Sequence, residues 1–182
     1  MAIRQAAAQT RERLIDAAVQ TIHSIGAANL TLDAVAKEAG VSKGGLLHHF
    51  PSKDALIEAV LRYFFVEFQQ SVQQQYESEK NRPGRWARAY IRATFAEDPL
   101  PLELNTMLFS IMGENSILMA LIREDFAYWH VRLMNDGLSP ARATIIRQAA
   151  DSYWMERLLQ IESENQPSRQ SLLDELLSLV EL

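Results

Sequence analysis

The chain has 182 residues, of which 48% are hydrophobic and 23% charged, with a net charge of −5. That is a soluble globular composition, sufficient for one or two small domains and a sizeable core. It contains no cysteine, which excludes disulfides, thiolate zinc sites and cysteine nucleophiles and suits a reducing compartment.

The N-terminus M-A-I-R-Q-A-A-A-Q-T lacks the apolar core of a signal peptide. No run approaches about 18 apolar residues, so no membrane partner and a cytoplasmic location are expected. Thr10 to Ile25 reads as an amphipathic helix, with Leu14, Ala18, Ile22 and Ile25 stacked at steps of four, four and three. Gly26 caps its end, and Thr31 opens a short helix that Gly40 stops. Ser42 caps a second short helix running to about Phe50, and Ser52 caps a long one to about Glu79. The middle of that long helix, Val60 to Phe68, is apolar nearly all round and calls for neighbours on every side. Further helices are expected at about 85–96, 101–112, 115–135, 140–163 and 168–181. Proline, glycine and Asp-Gly breaks separate them, and Ser139-Pro140 opens one. No alternating strand pattern occurs. The expectation is an all-α fold of about nine helices: three short, one long connector, then a bundle.

Two short helices joined by Gly40-Val41-Ser42 fit a helix–turn–helix. Val35, Ala36 and Ala39 give a small apolar face for a close crossing, Val41 plugs the corner, and Leu46 and Phe50 point inward. That leaves Ser42, Lys43, Gly44, Gly45, His48 and His49 outside. The charge distribution agrees in direction. Residues 1–55 hold six basic and five acidic residues, so the remainder carries −6. An acidic body behind a more basic head suits a polyanion reader, and chance scatter would give the same figure.

The stretch T-L-D-A-V-A-K-E-A-G-V-S-K-G-G-L-L-H-H-F-P-S-K-D-A-L, Thr31 to Leu56, resembles the DNA-binding signature of the TetR family of transcriptional regulators. The resemblance is sharp over the first quarter to third of the chain. Beyond that, only the helix order and a loose likeness at Ala149 to Trp154 follow. It implies a DNA-binding helix–turn–helix domain over 1–53 and a ligand-binding and dimerisation domain over 54–182. It implies a homodimer on a double-stranded DNA operator, with half-sites about 34–36 Å or slightly more apart, and release by a small-molecule effector. By the same resemblance Thr31, His49 and Lys53 meet phosphates, while Ser42, Lys43, Gly44 and Gly45 form the recognition end in the groove. Two positions depart from the pattern. Leu47 stands where members carry an aromatic phosphate contact, often tyrosine, and cannot donate a hydrogen bond. Gly45 stands where many members offer a side chain such as threonine. Specificity is then expected from Lys43, His48 and DNA shape. Arg4 and Arg11 either reach the DNA from an N-terminal arm or are simply solvated.

Adjacent histidines on a helix point about 100° apart, so His48 and His49 do not suit one metal ion. No metal, no cofactor and no enzymatic chemistry are expected. The sequence contains no G-x-S-x-G, Walker loop or H-E-x-x-H motif.

Aromatic and methionine residues concentrate after residue 60. Phe68, Trp86, Tyr90, Met107, Met112, Phe126, Trp129 and His130 are candidates to line an effector pocket for an apolar or aromatic ligand. The plainer alternative is that they are core. Leu172, Leu173, Leu176, Leu177 and Val180 make a wide apolar stripe on the last helix. Ile145, Ala149, Ser152 and Leu159 offer a matching stripe on the one before. Together they suggest a symmetric four-helix dimer seam, unless both helices cover their own core. The functional expectation is a ligand-responsive repressor. Its rival is a helical ligand-binding or interaction protein without sequence-specific DNA binding.

Overall fold

In a computed structural model the described residues are 2–26, 29–96 and 116–181. They form eight helices and no strand: α1 (Ala2–Ile25), α2 (Leu32–Glu38), α3 (Lys43–His49), α4 (Lys53–Ser78), α5 (Arg85–Thr94), α6 (Ser116–Met134), α7 (Pro140–Leu159) and α8 (Arg169–Glu181). The helix expected at 101–112 lies outside the described residues, with Met107 and Met112. Chain contacts separate two units, with the break inside α4 between Phe64 and Phe65.

In the first unit α1 packs on α2, and α2 on α3. Helix α1 begins well before Thr10, because the alanines and glutamines ahead of it are strong helix formers. Arg4 and Arg11 are therefore helical residues rather than parts of an extended arm. Leu14, Ala18 and Ile22 are fully buried, whereas Ile25 in the final turn is exposed, where the chain leaves the helix at Gly26. Thr31 Oγ1 accepts from the Ala34 amide at 3.1 Å, Ser42 Oγ from Gly45 at 3.1 Å and Ser52 Oγ from Ala55 at 3.1 Å. Each hydroxyl thus closes the open end of a helix with its own chain. Gly40 ends the first short helix at φ +66°, and its amide reaches the Lys37 carbonyl. Val35, Ala36, Leu46 and Phe50 are buried. Farther along α4 the burial expected all round is incomplete, since Tyr63 and Val66 are exposed.

The second unit is built around α5, which packs on α7 and α8 while α7 packs on α8. Its core includes Val72, Ala87, Tyr90, Ile91, Phe95, Trp129, Leu133, Ile146, Leu176 and Val180. Helix α5 is capped from elsewhere in the sequence. Asp136 accepts from the Trp86 amide at 2.9 Å and the Ala87 amide at 2.7 Å, and its own carbonyl accepts from the Gly84 amide at 2.7 Å. Gly84 has φ +78°, and a Cβ there would run into the Val180 side chain. The glycine thus serves both the backbone turn and the close approach of α8. Arg88, 2% exposed, donates to Glu79 at 3.0 Å and to the Pro83 carbonyl at 2.9 Å. Helix α7 stops at Leu159, four residues early, because Gln160 adopts a left-handed cap at φ +53°.

Candidate nucleic-acid interface and ligand-binding body

The turn and α3 sort their residues sharply. Leu46 and Phe50 are buried, at 0% and 2% exposure. Ser42, Lys43, Gly44, Gly45, Leu47 and His48 are exposed, and His49 is half-buried. The helical pitch achieves this: only the two residues four apart can face α2 from so short a helix. Thr31 and Lys53, at the openings of α2 and α4, are exposed as well. The Thr31 and Ser42 oxygens already accept backbone bonds, which leaves their O–H groups free to donate, the direction a phosphate oxygen requires. Neither glycine of α3 is demanded by the chain's own packing. A Cβ on Gly44 would find only Ser42 Oγ, at 4.0 Å, and one on Gly45 would meet the same atom at 3.3 Å.

Lys43 Nζ lies 2.8 Å from Asp33 Oδ2, with both side chains more than half exposed. Such a pair is weak and screened by salt, so it positions the ammonium without holding it against a stronger anion. The His48 and His49 rings meet edge to face, 5.5 Å between centroids. Among the described residues no group of three His, Cys, Asp or Glu could hold a metal ion. Two arginines hold the head together. The Arg11 guanidinium lies 5.1 Å from the Phe50 ring centroid, and Arg13 donates to the Ala39 carbonyl at 2.9 Å. Arg13 satisfies an open end of α2, a role that lies 26 residues away along the chain and carries no local sequence signal.

In the second unit four of the proposed pocket residues come together. Phe68 meets Tyr90 and Trp129 edge to face at 5.4 and 5.6 Å, and Tyr90 meets Trp129 at 5.2 Å. Trp86 lies 6.4 Å from Trp129 and stacks on Tyr76 at 4.0 Å. The Tyr90 hydroxyl donates to Asp151 at 2.6 Å, and Arg147 donates to the other Asp151 oxygen at 2.6 Å. Burial pushes the Tyr90 phenol well up, with the Asp151 charge adding to it. Burial also raises the Asp151 carboxyl, against the lowering pull of Tyr90 and Arg147. Phe126 and His130 are exposed on α6, and the Arg147 guanidinium lies 5.4 Å from the Phe126 ring centroid.

The expected seam divides in the same way. Ile145, Ser152 and Leu159 are exposed on α7 and Ala149 is half-buried. On α8, Leu172, Leu173 and Leu177 are half-buried against the subunit's own core. Leu176 and Val180 are buried, at 8% and 5% exposure, where α8 closes over α5 at Gly84.

Residues 84–181 match the pattern described as tetracyclin repressor-like, C-terminal domain, and residues 14–60 match that of bacterial regulatory proteins, tetR family. The chain belongs to the TetR family. The HTH-type transcriptional regulator BetI of Paraburkholderia phytofirmans is 36% identical over 85 residues, which cover 47% of this chain and 44% of BetI. BetI of Stenotrophomonas maltophilia is 34% identical over 90 residues, 50% of this chain and 46% of its own length. The chain therefore spans about half the length of the curated relatives it matches. A transcriptional regulator of Pseudomonas aeruginosa has the same fold, with a TM-score of 0.78 at 17% identity over 95% of this chain and 89% of its own. The multidrug binding protein EbrR, complexed with malachite green, follows with a TM-score of 0.65 at 22% identity, over 93% of this chain and 97% of its own. Leu47 is 38% exposed on the outer face of α3.

Proposed function

We propose that this TetR-family protein is a ligand-responsive transcriptional repressor. It acts as a homodimer on a palindromic double-stranded DNA operator, and a small apolar or aromatic effector releases it. Residues 1–53 form the DNA-binding part and 54–182 the ligand-binding and dimerisation part. One observation carries the reading: α3 buries Leu46 and Phe50 and turns Ser42, Lys43, Gly44, Gly45 and His48 outward together. In the major groove Lys43 donates to a guanine edge, the two glycines let the backbone approach, and His48 faces a base or phosphate. Thr31, His49 and Lys53 fix the register on phosphates. Ile145, Ser152 and Leu159, exposed on α7, supply the partner surface. The likeness to EbrR, a multidrug binding protein, supports an effector site near the Phe68, Trp86, Tyr90 and Trp129 rings. Helix α4, which carries both Lys53 and Phe68, links operator contact to effector contact. A few ångströms of altered head spacing suffices to prevent simultaneous docking of both α3 helices.

Selection of bound fragments from genomic DNA tests this. A palindromic motif with half-sites about one helical turn apart should be enriched, and affinity should fall steeply as salt rises. Absence of an enriched motif, with weak salt-insensitive retention, would instead establish the rival: a helical ligand-binding or interaction protein without operator binding.

A further inference from the structure

We propose that Leu47 reads a thymine: its side chain packs on the C5 methyl group of one thymine in each operator half-site, beside the bare backbone of Gly44. The inference deepens the reading above and rests on α3 entering the major groove.

Among the described residues of α2 and α3, Leu47 is the one large apolar side chain that is exposed, at 38%. One exposed leucine is ordinary on a protein surface. The surroundings of this one are not. Three and four residues earlier on the helix stand Gly44 and Lys43, and a helical side chain leans over the turn that precedes it. Gly44 leaves that turn uncovered. A Cβ added there would meet nothing nearer than Ser42 Oγ, at 4.0 Å, so no side chain of the protein closes over the place. Lys43 is drawn aside, its Nζ 2.8 Å from Asp33 Oδ2 on α2. The His48 and His49 rings engage each other, 5.5 Å between centroids. Leu47 therefore borders a stretch of helix surface made of its own methyl groups and a glycine methylene. Ser42, Lys43 and His48, all exposed, supply hydrogen-bond donors around it.

An apolar step inside a polar rim fits the floor of the major groove rather than its phosphate walls, because leucine offers a phosphate oxygen no donor. Base edges in that groove are hydrogen-bonding atoms with one exception. Guanine shows N7 and O6, adenine N7 and its amino group, cytosine its amino group, and thymine O4 and a C5 methyl. Leucine set against any of the polar atoms strips water from it and returns no bond, which is unfavourable. Set against the methyl, it removes apolar surface from water on both sides. The same side chain thus favours thymine at the position it faces and penalises the other bases. Position 47 becomes a residue of sequence choice, where a phosphate contact would be indifferent to sequence.

The test removes the methyl alone. The full chain selects its preferred duplex from random DNA, and each thymine of that duplex is replaced in turn by deoxyuridine, with affinity read by fluorescence anisotropy. One thymine per half-site should be sensitive, with a loss of about fourfold for one half-site and about fifteenfold for both, as burial of a single carbon implies. Leu47→Ala should bind the thymine and deoxyuridine duplexes within about 1.5-fold of each other. Leu47→Met, of similar volume, should keep most of the discrimination. A leucine that only supported the fold would, on substitution, lower affinity for both duplexes alike. Leu47→Gln, which keeps the length of the side chain, takes the place of Leu47→Ala should that variant fail to fold by circular dichroism. A loss below about threefold at every thymine overturns the proposal, and so does discrimination retained without the leucine. Selection of no duplex by the parent removes the operator reading and this inference with it. Selection of a duplex whose thymines are all insensitive removes this inference and keeps the repressor.

Discussion

In the head, the most deeply buried residues are apolar: Leu14, Ile22, Val35, Leu46, Phe50 and Leu56. The exception, Thr21, returns its hydroxyl to the Ala17 carbonyl of its own helix. In the body, Arg88 and Asp136 are buried, and a half-buried Asp151 joins Tyr90 to Arg147. The N-terminal ends of α2, α3 and α4 in the head are capped from three positions away, at Thr31, Ser42 and Ser52, and among the described residues only Arg13 reaches a helix end from farther off. In the body Ser139 caps α7 locally, whereas α5 is capped from far along the chain by Asp136. The contrast follows from what each region must present. A surface that reads DNA keeps its polar side chains in water and needs only short helices held in place. A body with polar groups inside can use them on a ligand, at a cost in stability when the ligand is absent.

Four predictions challenge this contrast, from the largest expected effect to the smallest. Leu46→Ala empties the apolar centre of the head and should cost about 3 kcal/mol in a urea titration followed by circular dichroism. Asp136→Ala strands two buried amide donors of α5 and should cost about 2 kcal/mol. Asp136→Asn, which keeps one acceptor, should fall between that variant and the parent. If Asp136→Ala proved neutral, the body would not depend on distant caps. Ser42→Ala removes a local cap and should cost about 1 kcal/mol, while the salt dependence of DNA binding stays close to that of the parent.

The fourth prediction concerns pH. Burial lifts the Asp125 and Asp151 carboxyls above their ordinary value of 3.8. A raised folded-state pKa means that the folded protein holds the proton more tightly than the unfolded chain does. The stability these acids contribute is therefore full below pH 3.8 and lost as pH rises through the folded values. Asp125→Asn should melt above the parent at neutral pH, and the difference should close as pH falls toward that ordinary value. A difference independent of pH would assign the effect to packing rather than to the buried charge.

The all-helical fold was legible in the sequence because its signals are local. Thr31, Ser42, Ser52 and Ser139 each announce a helix within three residues, and Gly26 and Gly40 end helices where expected. The inward pair Leu46 and Phe50 follows from spacing alone, since a short helix has only one face to bury. Tyr90, Phe126, Trp129 and His130 carried the same two sequence readings, pocket or core, yet Tyr90 and Trp129 are buried and Phe126 and His130 exposed. On an aromatic-rich helix such as α6, composition does not say which turn meets a neighbour.

By itself the sequence determined the head: the order of its helices, their caps and the residues turned outward from Thr31 to Lys53. Only the tertiary structure decided the body. It placed Leu176 and Val180 in the core of the second unit, set Asp136 at the start of α5, and joined Tyr90 and Arg147 to Asp151. The physical reason is range. Caps and turns are settled between residues three or four apart. The partner of a leucine stripe or a buried carboxylate is settled by elements tens of residues away, which a single chain read in order does not pair.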